Sequence, residues 1–125
     1  MGWQDYVDNL VKSGKCTQAL LCGHDGTVWV QSSNFIDKAE IAALVGGYKD
    51  PSTIRAKSPK VGGKKVIIVK ADERSIYGKA EGDNGLCCVK TTQAIIIAWY
   101  EKPIKGGECN TQVESIADFL IDQGY

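Results

Sequence analysis

The chain has 125 residues, with fifteen basic and fifteen acidic side chains and a formal net charge of zero. A chain of this length forms one domain and buries roughly two-thirds of its unfolded surface, so it needs neither disulfide nor metal to fold. Its longest apolar run, Ala94–Tyr100, falls far short of the roughly 20 residues that span a bilayer, and the acidic, amphipathic opening stretch is not a secretory signal; a cytoplasmic protein is expected.

Gly2–Val11 opens the chain as a helix, because Trp3, Tyr6, Val7, Leu10 and Val11 fall on one helical face. The first turn of that stripe is aromatic with polar handles, and the later turns are aliphatic. Ser13-Gly14 breaks the pattern. Thr17–His24 reads as a strand, Asp25-Gly26 as a hairpin turn, and Thr27–Gln31 as its partner, with Trp29 on one face and Val28 and Val30 on the other. Lys38–Val45 reads as a short helix closed by Gly46-Gly47, and Asp50-Pro51-Ser52 starts another of about one turn before Arg55. From Lys57 to Tyr100 strands follow one another as an antiparallel meander: Lys64–Ala71, Arg74–Ala80, Leu86–Thr91 and Gln93–Glu101. The apolar runs Val66–Val69 and Ala94–Ile97 predict central strands covered on both faces. After a loop at Lys102–Gly107, a last helix starts at Asn110 or Thr111 and repeats Val113, Ile116, Ala117, Leu120 and Ile121 on one face.

The expected fold class is therefore α/β (α+β): a central antiparallel sheet with the N- and C-terminal helices on one face and the short helices on the other, in a single domain over residues 1–125. If the two terminal helices lie side by side, Trp3, Tyr6 and Tyr125 converge with Trp29 in a small exposed aromatic cluster. Such a cluster suits a polyproline II segment. Aromatic rings pack on the flat pyrrolidine faces, and indole N–H and phenol O–H groups donate to the free carbonyls.

The zero net charge conceals a gradient. Residues 49–79 carry nine basic and three acidic side chains, net +6, while both flanking segments are acidic. A field of this sign suits an acidic protein surface, anionic lipid headgroups or nucleic acid. The five cysteines (Cys16, Cys22, Cys87, Cys88 and Cys109) are odd in number and form no C-x-x-C pair, which favours reduced thiols used as small apolar residues. With a single histidine and no ligand spacing, no metal site or cofactor is expected. His24 sits in a turn, and no nucleophile elbow, P-loop or G-x-G-x-x-G occurs. Gly62-Gly63-Lys64-Lys65 joins strand to strand and so lacks the helix N-terminus that makes an anion site. A binding protein is expected, not an enzyme.

From Trp3-Gln4-x-Tyr6-Val7-Asp8 to Ala117–Tyr125, the chain resembles the profilin family over essentially its whole length. Gly23-His24-Asp25-Gly26-x-x-Trp29, Arg74–Lys79 and Val89-Lys90-Thr91 match between those ends, and the chain resembles the shorter amoebal, fungal and plant forms. The resemblance implies a monomer that binds monomeric actin and regulates its polymerisation in the cytoplasm and cytoskeleton. It also implies binding to proline-rich segments of actin-assembly factors and to phosphoinositide lipids, with no nucleic acid partner. Carried over, the polyproline site is Trp3, Tyr6, Trp29, Leu120 and Tyr125, together with Phe119, which stands where vertebrate forms have a histidine. The actin face is Arg74, Tyr77, Lys79, Lys90, Lys105, Gly107, Asn110 and Glu114, with Tyr77 where many members have arginine. The phosphoinositide set, taken from the basic middle segment, is Arg55, Lys57, Lys64, Lys65, Arg74 and Lys79. Two further readings differ in class. The same architecture serves sensory or GTPase-regulator domains that bind no actin, and a thiol enzyme would need an exposed cysteine.

Overall fold

The computed structural model describes residues 2–125. Eleven elements follow in chain order: α1 (Trp3–Lys12), β1 (Gln18–Gly23), β2 (Val28–Gln31), α2 (Lys38–Gly47), α3 (Pro51–Lys57), β3 (Lys60–Val61), β4 (Lys64–Ala71), β5 (Ser75–Ala80), β6 (Asn84–Lys90), β7 (Ala94–Tyr100) and α4 (Gly106–Asp122). The strands form one seven-stranded sheet in the order β2-β1-β7-β6-β5-β4-β3, with every pairing antiparallel. The edges are a two-residue strand and a four-residue strand, too short to template pairing with another chain. The sheet divides the core in two. On one side α1 and α4 pack over Leu21, Cys87, Val89, Ile96 and Ala98, using Val7, Leu10, Val113, Ala117 and Leu120. On the other α2 and α3 pack over Leu20, Ile76, Leu86, Cys88 and Ile97 through Ile41, Leu44 and Ile54. β7 is buried along its whole length, as its unbroken apolar run predicts, and each fully buried Leu or Ile there contributes roughly 1.5–3 kcal/mol.

The expected layering is present, and the departures from expectation have local causes. The run Val66–Val69 is not covered on both faces: Ile67 and Val69 are 61% and 53% exposed. Only the two-residue β3 lies outside β4, so no helix reaches that outer surface. Val28 and Val30 do not share a face. Leu21 pairs with Val30 and Cys22 with Val28, which leaves Trp29 as the extra residue of a bulge. The bulge shifts the alternation by one, so Val28 packs on the α2–α3 core and Val30 on the α1–α4 core.

Gly46 and Gly47 do not close α2 but lie within it. A Cβ on Gly47 would stand 2.8 Å from the Ile54 Cβ, so glycine here lets α3 pack directly against α2. That contact also keeps α3 helical as far as Lys57, beyond the single turn expected, and it ends at Ser58 with a left-handed φ of 50°. α4 begins at Gly106 rather than at Asn110 or Thr111. The reason is Cys109, fully buried one turn ahead of Val113, which extends the apolar stripe by a turn once cysteine is counted as a core residue.

Candidate functional site

Trp3 is the hub of the aromatic cluster. Its ring centroid lies 5.0 Å from Trp29, 5.0 Å from Tyr125 and 5.9 Å from Tyr6, and Tyr6 continues to Phe119 at 6.1 Å. The ring planes meet at 45° to 78°, so the cluster is a faceted corner and not a flat wall of parallel rings. Trp29 is 37%, Phe119 46% and Tyr125 41% exposed, unusual for side chains that gain so much by burial. Gly2, Trp3, Tyr6 and Tyr125 line a cleft of about 220 Å³ between them. Leu120 belongs to the set by sequence but is fully buried; it supports α4 from beneath and offers no surface to a ligand.

Each wall is fixed by a different device. The bulge in β2 places Trp29 beside Trp3, and the indole passes so close to Gly23 that a Cβ there would stand 3.3 Å from Nε1. The Asp5 carboxylate accepts the Gly2 N–H at 3.0 Å and caps α1. Tyr125 is held by the turn between β6 and β7. Thr91 Oγ1 donates to the Tyr125 main-chain oxygen at 2.7 Å, the Gln93 N–H donates to the same oxygen, and Gln93 Nε2 donates to the Gly124 oxygen at 3.0 Å. His24 Nε2 lies 3.0 Å from the Thr91 oxygen and ties the hairpin turn to the same point. Thr91 and Gln93 are positioning residues that the sequence reading missed. Their spacing signals no more than a polar turn between two apolar strands, although Thr91 falls in the matched stretch Val89-Lys90-Thr91.

The predicted actin residues fall into two groups. Arg74, Tyr77 and Glu114 come together with Ser75 and Asp118. Glu114 accepts from Arg74 Nε at 3.0 Å, from Ser75 Oγ at 2.8 Å and from the Tyr77 hydroxyl, while Arg74 Nη2 donates to Asp118 at 2.8 Å. Burial, and then the bond to Glu114, push the Tyr77 hydroxyl above its ordinary pKa. Asp118, and then Glu114, raise that of the Arg74 guanidinium. Lys79 lies on the same sheet face as Tyr77, two residues along β5, and Lys105, Gly107 and Asn110 follow at the start of α4.

Lys90 is separate, because its ammonium stands 5.8 Å from the Tyr48 ring centroid on the α2–α3 side. The exposed Ile67 pairs with Lys79 across β4 and β5 and so shares its face. With the neighbouring Val69 it gives that face an apolar centre that the sequence reading placed in the core. The predicted phosphoinositide residues are scattered. Arg55 and Lys57 are on α3, Lys64 and Lys65 alternate across β4, and Arg74 is already paired with two carboxylates.

All five thiols are buried. Burial pushes Cys22 up to about 12, with Asp25 adding to the shift, and burial also raises Cys87 and Cys88. These are properties of packing residues, not of nucleophiles. No helix among the described residues is long and apolar enough to cross a membrane.

A family model described as profilin matches residues 1–125. Profilin-2 of Acanthamoeba castellanii is 43% identical over 127 aligned positions, covering 100% of both chains, and profilin of Drosophila melanogaster is 37% identical over the same span. The crystal structure of Acanthamoeba castellanii profilin II superposes with a TM-score of 0.92 at 42% identity, covering 99% of this chain and 100% of the other. Mouse profilin IIa in complex with a double repeat from the FH1 domain of mDia1 superposes with a TM-score of 0.79 at 26% identity, covering 100% of both chains.

Proposed function

The chain belongs to the profilin family, and from that premise we infer that it binds monomeric actin, regulates actin polymerisation and docks on proline-rich segments of actin-assembly factors. It works in the cytoplasm as a binding protein, with no catalytic step of its own. The observation that carries the proline-rich part is the open aromatic corner around Trp3. Five large rings from three stretches of chain (α1, β2 and the C-terminal end) meet there, and Trp29, Phe119 and Tyr125 stay exposed. A polyproline II ligand needs that arrangement: flat apolar facets for its rings and indole and phenol donors for its carbonyls. Profilin IIa of the mouse, bound to an FH1 repeat, shares the fold on which this corner is built.

For actin we assign the face formed by Ile67, Val69, Tyr77, Lys79, Lys105 and Asn110. Its exposed apolar centre, Ile67 and Val69, has the basic Lys79 directly beside it across β4 and β5, as an interface core is bordered by a polar rim. Anionic phosphoinositides are the third partner, drawn to the basic middle segment at about 1 kcal/mol per lysine near the surface.

The test is a fluorescence titration with a proline-decamer peptide. Saturable quenching that Trp3→Ala removes supports the groove. Unchanged emission at high peptide, with retention on polyproline resin unaffected by Trp3→Ala, sinks it.

A further inference from the structure

The rings of the aromatic corner carry no charge, but the chain around them is charged in one sense. Residues 2–11, 16–37 and 106–125 supply all five rings, and they hold eight acidic side chains and no lysine or arginine. Of those eight, Glu108, Glu114 and Asp118 are paired with Lys15 or Arg74. Asp5, Asp8, Asp25 and Asp122 belong to no ion pair among the described residues.

Two of these carboxylates stand at the ends of the row of rings. The row runs from Phe119 through Tyr6 and Trp3 to Trp29, in centroid steps of 6.1, 5.9 and 5.0 Å. Polyproline II rises about 3.1 Å per residue, so a run of about five prolines covers it. At one end the exposed Asp122 follows Phe119 by three residues on α4, on the same side of the helix and one turn on. At the other end a Cβ on Gly23 would stand 3.0 Å from Asp25 Oδ1 and 3.3 Å from Trp29 Nε1, so this carboxylate and the indole are neighbours. The Thr27 N–H donates to Asp25 Oδ1 at 2.9 Å and holds that carboxyl below its ordinary pKa. Between the two ends, Asp5 accepts the Gly2 N–H beside the cleft.

We propose that this acidic rim selects proline-rich segments that carry a basic residue, arginine above all, directly before and after the proline run. The proposal rests on the proline-rich reading above and adds the chemistry of the flanks, with Asp25 and Asp122 as the specificity-determining residues. Two independent features favour a cation at each end of the row. The unpaired carboxylate attracts it, and so does the exposed ring face of Trp29 or Phe119 beside that carboxylate. A guanidinium stacks on a ring while its edge donates to a neighbouring carboxylate. An acidic flank meets the same carboxylates with repulsion, so the rim discriminates in both directions. The prolines are neutral and gain nothing from it. The rings therefore set the affinity common to all proline-rich partners, and the rim sets the choice among them.

The experiment titrates the whole chain with three peptides that share one run of prolines and differ only in the residue on each side of it: arginine, glutamine or glutamate. Tryptophan emission reads the binding. In about 0.01 M salt the arginine-flanked peptide should bind about ten-fold tighter than the glutamate-flanked one, with the glutamine-flanked peptide between them. In about 1 M salt, where the screening length falls to about 3 Å, the three affinities should converge. The double variant Asp25→Asn/Asp122→Asn should bring them together to within about two-fold even at low salt. Asparagine keeps an oxygen for the Thr27 N–H, and an unchanged melting temperature shows that the fold is intact.

Equal affinity of the wild-type chain for all three peptides at low salt overturns the selection and leaves the proline-rich reading standing. A preference that survives in the double variant also overturns it, because the discrimination then lies in other residues. If none of the three peptides binds, the proline-rich reading falls and the selection falls with it.

Discussion

The aromatic corner and the charged face solve the problem of staying open in opposite ways. At the corner, Trp3, Trp29, Tyr125, Tyr6 and Phe119 meet at tilted angles, with Trp3 and Tyr125 edge to face. Each ring holds its neighbour in place without covering it, and no charge takes part, so the surface is preformed and insensitive to salt. On the charged face, the exposed Ile67 and Val69 lie beside a polar network in which Arg74, Ser75 and Tyr77 are all engaged on Glu114. A partner there must exchange these bonds for its own. The bonds are partly exposed and individually weak, which makes the exchange possible. A rigid corner suits a short peptide with little to organise. A face with an apolar centre beside an internally paired polar network suits a large protein partner that brings many contacts at once.

The largest expected effect comes from removing the hub. Trp3→Ala deletes the ring that touches three others, and peptide affinity should fall about 100-fold, roughly 3 kcal/mol, in a fluorescence or calorimetric titration; a loss of less than five-fold would mean the corner is held without it. Next, Glu114→Gln turns an acceptor of three donors into a mixed amide. It should lower stability by about 2 kcal/mol, read from urea midpoints at unchanged slope. The third effect sharpens the division of the charged face. Lys79→Glu should weaken actin-monomer binding about ten-fold by opposing charge. Lys90→Glu should cost no more than about two-fold, because Lys90 lies over Tyr48 on the other side of the sheet. Equal losses would put the interface across the β5–β6 strand ends instead.

Smaller still, Thr91→Val removes one hydrogen bond from the Tyr125 anchor. Peptide affinity should drop about five-fold, near 1 kcal/mol, with no change in actin binding. The smallest effect is on pH dependence. The raised pKa of Tyr77 means that the folded chain keeps the proton where the unfolded chain loses it. Stability should therefore be level up to the ordinary tyrosine value of about 10 and fall as pH rises beyond it. Tyr48 and Tyr100, both also raised by burial, contribute in the same direction. Tyr77→Phe should flatten part of the fall, seen in urea midpoints measured either side of that pH.

The layering was legible because periodicity reports burial directly. The helical stripe of Val7, Leu10 and Val11, its counterpart at Val113, Ala117 and Leu120, and the unbroken apolar run of β7 all pack where their spacing places them. The aromatic corner was legible too, since its rings are too large and too polar-tipped for plain docking helices. What stayed hidden depends on a neighbour that the local sequence does not name. Ile67 and Val69 look like core residues until the two-residue length of β3 shows that nothing covers them. Gly47 looks like a stop signal until Ile54 is found against its Cα. Val28 and Val30 look like one face until the bulge at Trp29 separates them. Thr91 and Gln93 read only as a polar turn, and Thr91 as part of a matched motif, because a turn residue that binds a distant chain end leaves no trace of that contact in its own spacing. The charged residues were the least legible. Sequence identifies charge, but only the fold shows that Arg74 is paired with two carboxylates while Lys79 is in no ion pair among the described residues.

The central claim is that one fold carries two separately built surfaces, and it is tested most directly by titrating monomeric actin into the protein with and without a saturating proline-decamer peptide. The account predicts one-to-one actin binding of equal affinity in both titrations, with peptide, protein and actin in one complex. Displacement of the peptide by actin, or no actin binding at all, would contradict it.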